Sequence, residues 1–291
     1  MSRWRAWLSR ARESWRHVRT LPRHWILAGT LLLILLLIAG LWLLLRILPE
    51  AVDPTWERIL ETRVLRVCTD PSWPPFEAVD EGGGTIEGFD VDLAGLLAER
   101  LAPADGPPAG VRAEIVPVGF DSLYDALLAG RCDAVLSALP YEPERTEDVA
   151  YSVAYFNAGQ VLLGREDTAD VEGVDDLAGR VVGVEWGFVP EGNTHQRELL
   201  RSLRLRRYDT GDEVLRALQA GEVEAAIVDR ITALAYMAEC QGLQFVGEPI
   251  YDVNLVIPVR PDSFRLLAEI NRLLLAMRQD GTLELLQDKW F

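Results

Sequence analysis

The sequence predicts an α/β fold of two lobes, and three observations predict it. Short apolar runs alternate with amphipathic stretches of helical spacing along most of the chain. The alternation occurs twice, in two stretches of roughly 90 residues, each reading β-α-β-α-β. Two extended segments, "AYFNAGQVLL" (154–163) and "FVGEPIYDVNLVI" (245–257), sit at the seams between the stretches. If the last segment returns to the first lobe, the chain crosses between lobes twice. Two crossings make a two-stranded hinge, and small ligands bind in such inter-lobe crevices.

The elements follow in order. The first 49 residues carry eight Arg and one acid, Glu13, whereas the whole chain has a net charge of −16. A basic head on an acidic body excludes a nucleic-acid binder, because phosphate binding needs Lys and Arg clustered on the body. Trp25 to Leu45 contains no charged residue. Its 21 residues would span roughly 30 Å as a helix, one bilayer core. Seven Arg precede it, which predicts a cytoplasmic N-terminus and an extracytoplasmic body. No A-x-A-like cleavage site follows, so the segment reads as an uncleaved signal anchor, with a cleaved signal peptide as the alternative. The expected organisation is a basic cytoplasmic tail over 1–24 and a transmembrane anchor over 25–46. A linker with a short lead-in helix follows over 47–62. Lobe 1 is formed by 63–154 plus 252–291, and lobe 2 by 160–246.

In lobe 1, "VLRVCT", "RAEIVPV" and "CDAVLSAL" read as strands. "FDVDLAGLLAERL" and "DSLYDALLAG" read as helices, the second closed by Gly130. In lobe 2 the strands are "GRVVGVEW", "LRRYDT" and "VEAAIVD". The helices are "EGNTHQRELLRSL", "GDEVLRALQAG" and "RITALAYMAEC". Two more helices, "DSFRLLAEINRLLLAMRQDG" and "LELLQDKWF", close the chain. Cys68, Cys132 and Cys240 are odd in number and form no C-x-x-C, so a zinc site is not expected. Cys68 falls late in one strand and Cys132 at the start of another, so in parallel neighbours the two sulfurs sit at opposite ends and all three read as buried free thiols, with a disulfide as the alternative. Phosphate-loop, serine-hydrolase and zinc-protease motifs are absent, and the body's one histidine, His195, lies in a polar run read as helix surface. No cofactor or metal is expected.

"LRVCTDPSWPPFE", "GFDVDLAGLLAERL", "PVGFDSLYDALLAGRCDAVLSAL", "PERTEDVAYS", "DLAGRVVGVEWG", "ALQAGEVEAAIVD" and "MRQDGTLELLQDKWF" follow one another in this order. The series resembles the family 3 extracellular solute-binding proteins of ABC importers, over about residues 56–291. That resemblance implies a periplasmic-binding-protein-like clamshell that captures a small polar ligand, most often an amino acid, and delivers it to an ABC permease. It also implies site residues. Arg145 would grip an α-carboxylate with its planar fork; from the residues alone it would pair with Glu142, Glu144 or Glu147 on a solvated turn. Asp229 would accept the ligand's ammonium; its alternative is a helix cap. Trp73 would cover the ligand side chain, with Phe120 on the opposite wall unless it is core. Asp70 would hydrogen-bond the ligand side chain or start an Asx-turn.

The sequence also departs from the family. Pro140 has no N–H to offer where hydroxyl residues are usual, and Glu142 adds a negative charge there. In "WGFVPEGN", Gly187 remains but Phe188 and Val189 replace hydroxyl donors. Tyr141 and the backbone around Gly187 are the available substitutes. Trp186, Phe188, Trp73 and Phe120 would make the crevice aromatic-rich, and the acids around it would suit an amine-bearing ligand. Two rivals share the fold. A dehydratase would need a carboxyl general acid in the cleft, for which Glu77, Glu142 and Glu185 are equal candidates. A sensor would need a separate signalling partner, because the cytoplasmic tail is short.

Overall fold

A computed structural model describes residues 23–47, 52–80, 82–101, 110–167, 171–188, 198 and 200–291. The chain divides into two units, Met1–Val52 and Asp53–Phe291. In the first unit, helix α1 spans Arg23–Ile47. Its side chains are described over 27–40 and all are exposed. Among the described residues, no helix is long and apolar enough to cross a membrane.

The second unit opens with α2 (Pro54–Thr62), which Asp53 caps by accepting from the Trp56 N–H at 2.8 Å. Pro54 fits the first helical position, where no N–H is needed. Asp53 is fully buried and its other oxygen accepts from the N–H groups of Arg265 and Leu266. Those belong to the first turn of a late helix, α7 (Phe264–Gln279). One carboxylate thus satisfies orphan donors at two helix starts and ties the beginning of the unit to its end.

Strand β1 (Val64–Thr69) lies between two parallel neighbours, β5 (Arg112–Pro117) and β6 (Ala134–Val135). Two antiparallel strands, β15 (Pro258–Val259) and β7 (Ala150–Tyr151), complete the sheet in the order β5-β1-β6-β15-β7. Leu65 and Val67 pack on one face with α3 (Phe89–Arg100) and α7, while Cys68 packs on the other with α4 (Leu123–Leu128). Arg66, on the outward side, ion-pairs with the buried Asp133, which also holds Arg58. A fully buried carboxylate is tolerable only with such partners.

Strand β6 is much shorter than the expected 132–139. Ala138 adopts a left-handed φ of 44° and leaves strand geometry. This shortening overturns the free-thiol reading. Cys132 precedes the strand, enters the same core as Cys68, and the two form a disulfide with Cα atoms 5.7 Å apart. Cys240 is free and half-buried.

The second sheet runs in the order β11-β10-β12-β9-β13. Strands β10 (Val181–Glu185), β11 (Arg204–Tyr208) and β12 (Ala225–Asp229) are parallel. Strands β9 (Gln160–Arg165) and β13 (Leu243–Phe245) bring in the antiparallel edge. Helices α5 (Gly211–Gln219) and α6 (Arg230–Glu239) follow the expected periods. His195 and most of the expected 191–203 helix lie outside the described residues. Between the sheets, β8 (Phe156–Asn157) pairs antiparallel with β14 (Asn254–Leu255) where the chain passes from one sheet to the other and back. Helices α7 and α8 (Thr282–Trp290) return to the first sheet's core.

Candidate functional site

The ends of the first sheet's strands, the seam and α6 surround a cavity of about 360 Å³. Its polar lining is Asp70, Ser72, Glu77 and Ser137; its aromatic lining is Trp73 and Phe120. Ala158, Val253 and Leu255 come from the seam, and Ile231 comes from α6.

The lining begins where β1 runs out. The Asp70 N–H donates to Ser137 Oγ at 2.9 Å, and its carboxylate accepts from the Phe120 N–H at 2.8 Å. Asp70 therefore fixes the base of the Phe120 loop, fifty residues away. The chain then forms a small antiparallel sheet of β2 (Ser72–Trp73), β3 (Glu77–Val79) and β4 (Ile86–Glu87), with a cis Pro74–Pro75 peptide in its first turn. Trp73 stands opposite Glu77 in register. Directly opposed residues project to the same side of a sheet, so both reach the cavity. Trp73 is 60% exposed and Phe120 54%. Two exposed rings on one concave surface mark a place for a ligand rather than part of a core.

Behind the cavity lies a pair of buried acids. Ser137 Oγ donates to Glu77 Oε1 at 2.9 Å. Asp90, in the first turn of α3, accepts on Oδ2 from the Ala138 N–H and the Tyr155 hydroxyl. Glu77 Oε2 and Asp90 Oδ1 have no N–H or O–H partner. Gly88 makes the close approach possible: at φ 145°, a Cβ there would lie 2.1 Å from the Phe76 carbonyl oxygen. Burial, with the Asp90 charge behind it, pushes the Glu77 carboxyl up to about 9. Burial also pushes Asp90 up to about 7, against the Ala138 and Tyr155 hydrogen bonds.

This pair sets a pH dependence of stability. Unfolded, Glu77 loses its proton above about 4.5; folded, it keeps one to about 9. The native state therefore binds more protons in that window, and stability falls as pH rises through it. Glu77→Gln imitates the protonated acid, with its amide able to donate to Asp90. The variant is expected to lose most of this slope and to be more stable than the wild type at pH 9. Urea denaturation midpoints at pH 5, 7 and 9 measure it; parallel curves for the two proteins would contradict the assignment.

Comparison with known proteins identifies the scaffold. Residues 65–291 match the model of the bacterial extracellular solute-binding proteins, family 3. The chain belongs to that family. This solute-binding protein is 28% identical over 235 residues to the putative ABC transporter arginine-binding protein 2 of Escherichia coli (strain K12), covering 78% of this chain and 90% of the relative. Among solved structures, it is similar to an ancestral cationic amino acid solute binding protein (31% identity, TM-score 0.56, 81% and 99% of the two chains). It is also similar to an ancestral cyclohexadienyl dehydratase (27% identity, TM-score 0.69, 82% and 97%). The two-lobed α/β fold and the extracytoplasmic character of the domain follow from the family. A disulfide in the first lobe fits an oxidising compartment.

Of the residues expected in the site, this cavity takes in Asp70, Trp73 and Phe120. Arg145 lies outside its lining, bonded to Glu142 at 2.7 Å and seated 4.2 Å over the Tyr124 ring. Asp229 lies at the end of β12 and caps α6 by accepting from the Thr232 N–H. Tyr141 is exposed and meets Tyr151 edge-on. Gly187 takes a left-handed φ of 90° beside the exposed Trp186. Phe188 departs from its expected place. Its ring is 9% exposed and packs with Leu162, Val184 and Leu200 in the second lobe's core, because the turn at Gly187 carries it inward.

In the sequence Glu77 is one of three equal acids, and nothing in it singles out Asp90 or Ser137. Asp90 reads in sequence as an ordinary acid in a helix's first turn. The Asp90 N–H donates to the Phe76 carbonyl, and that bond, with the close approach at Gly88, brings it to Glu77.

Proposed function

We propose that the 53–291 unit captures a small polar amino acid, preferentially one with a cationic or amine-bearing side chain, and delivers it to an ABC transporter permease. The observation that carries this reading is the cavity in which Trp73 and Phe120 stand exposed beside Asp70 and Glu77. Flat rings hold an apolar stem or a cation through their faces, and the acids favour a positive group. The names of the arginine-binding and cationic amino acid-binding relatives support the same class. On closure, Asp229 and the Gly187 turn would come to the ligand from the second lobe. Arg145 would exchange Glu142 for the α-carboxylate; their ion pair is half exposed and costs little to break. The single-pass membrane anchor, with the C-terminal unit outside, rests in this reading on the uncharged sequence run Trp25–Leu45 alone, since no helix among the described residues is long and apolar enough to cross a membrane. Retention of the protein in alkali-washed membranes tests the anchor.

A thermal-shift screen against amino acids, polyamines and small organic acids tests the capture. Ligand at 100 times its Kd should add about 2.7 kcal/mol of stability. Trp73→Ala should weaken binding roughly tenfold or more while leaving stability nearly unchanged, since the ring is mostly in solvent. Arg145→Ala should abolish the response to carboxylate ligands. No response to any compound, or an unchanged response in both variants, would remove this cavity from the function.

A second reading has one observation in its favour. Glu77 is a buried carboxyl that keeps its proton near neutral pH, as a general acid must, and a dehydratase shares the fold. Turnover of a prephenate-like acid, lost in Glu77→Gln, would favour it over transport.

A further inference from the structure

We propose that the proton held between Glu77 and Asp90 belongs to the ligand site: a cationic ligand group arriving beside Glu77 expels it, so capture of a cation releases one proton and capture of a neutral ligand of the same shape releases none. This rests on the reading of the cavity as the ligand site and adds to it the charge selection.

The geometry carries the argument. Glu77 lines the cavity yet is only 1% exposed. Its Oε1 is occupied by the Ser137 hydroxyl, and Asp90 Oδ2 by Ala138 and Tyr155. Two buried oxygens remain, Glu77 Oε2 and Asp90 Oδ1, and no protein donor is aimed at either. Two acceptors facing burial without a donor are satisfied only by a proton that the acids carry themselves. The groups around Glu77 are Asp90 on α3, Asp70 at the end of β1, Ser137 after β6, and Tyr155 behind Asp90. All the ionisable ones are acids or a phenol, and none supplies a compensating positive charge. A guanidinium or ammonium in the cavity would be that missing charge. With it in place, Glu77 gives its proton to solvent and becomes the carboxylate of a charge-assisted pair. A neutral amide in the same place leaves the carboxylic acid as it is.

The test compares L-arginine with L-citrulline, its neutral near-isostere, on the full chain. Calorimetric titration at pH 7.5 in two buffers of different ionisation enthalpy counts protons. Arginine should release close to one per ligand bound and citrulline none. Arginine affinity should rise between pH 6 and 8, by up to about tenfold per unit, the limit for one proton. Citrulline affinity should stay level. Both ligands carry the same α-amino and α-carboxyl groups, so every other titration cancels in the comparison. Glu77→Gln should abolish the proton release, whatever it does to affinity. The wild-type pH comparison stands alone if that variant does not fold. Arginine binding without proton release, or with a release unchanged in Glu77→Gln, overturns this inference alone. If neither ligand nor L-lysine binds, the ligand reading of the cavity falls and this inference falls with it.

Discussion

Replacing Cys68 and Cys132 together by alanine is expected to cost the 53–291 unit about 4 kcal/mol, lowering its midpoint of thermal unfolding by roughly 8–16 °C. The bridge closes a loop of 64 residues in sequence, and that length sets the entropy it withholds from the unfolded chain. The loop contains β2, β3, β4, α3, β5 and α4, about half of the first lobe, and both cavity-lining acids, Asp70 and Glu77. Both sulfurs are fully buried beside Leu123, Leu127 and Val135, so the alanines also leave a void among apolar side chains. Reduction of the wild type should lower its midpoint in the same direction. Cys240→Ser should leave the oxidised midpoint within about 2 °C, because that thiol is unbridged and half-buried. If the double variant unfolds within 2 °C of the wild type, the bridge is not a stabilising element. A disulfide-mapping digest then decides whether it forms.

The strands and helices were legible because their apolar spacing is enforced by local burial. Leu93 and Leu97, at helical spacing on α3, both face the first core. Val182 and Val184 on β10, at a spacing of two, face one side of the second sheet. Local pattern fails where long-range geometry decides. The pattern of "CDAVLSAL" puts Cys132 in a strand, but the chain bends before Ala134. That bend brings its sulfur to Cys68, and no spacing rule reports it. In the sequence Phe188 stands where the family has a hydroxyl donor, which places it in the crevice. A single left-handed glycine before it reverses the chain and sends the ring into the core. In the site, prolines on both sides of Trp73 in "DPSWPPFE" stiffen the turn that presents its exposed ring in the cavity lining, while its role toward a ligand rests on the family resemblance. The Glu77–Asp90 pair could not be read. Each acid has an ordinary local explanation, and it is the Asp90 N–H bond to the Phe76 carbonyl and the backbone contact at Gly88 that place them side by side.

Gly159→Ala is expected to destabilise the protein by about 3 kcal/mol or more and to weaken ligand capture with it. Gly159 follows β8 at the crossing between the sheets. A Cβ there would lie 2.0 Å from the Tyr251 carbonyl oxygen and 2.8 Å from the Val253 nitrogen. Both are backbone atoms of the returning crossing, so no side chain can rotate away to make room. The methyl group can be accommodated only by parting the two crossings. Parting them opposes the Val253 N–H donation to Asn157 Oδ1, the Ala158 N–H donation to the Val253 carbonyl and the Gln160–Tyr251 bridge. It also moves Ala158 and Val253, which are two of the cavity's walls. The damage therefore reaches both the fold and the site, unlike that of Trp73→Ala, which should affect affinity alone. Glycine-to-alanine at Gly95 supplies the control: it sits within α3 with nothing near its Cβ, and helix propensity makes that change neutral or stabilising by up to about 1 kcal/mol. Denaturant midpoints and ligand titrations on the two variants separate the cases. A Gly159→Ala protein with wild-type midpoint and affinity would mean that the crossing strands are not held at this spacing.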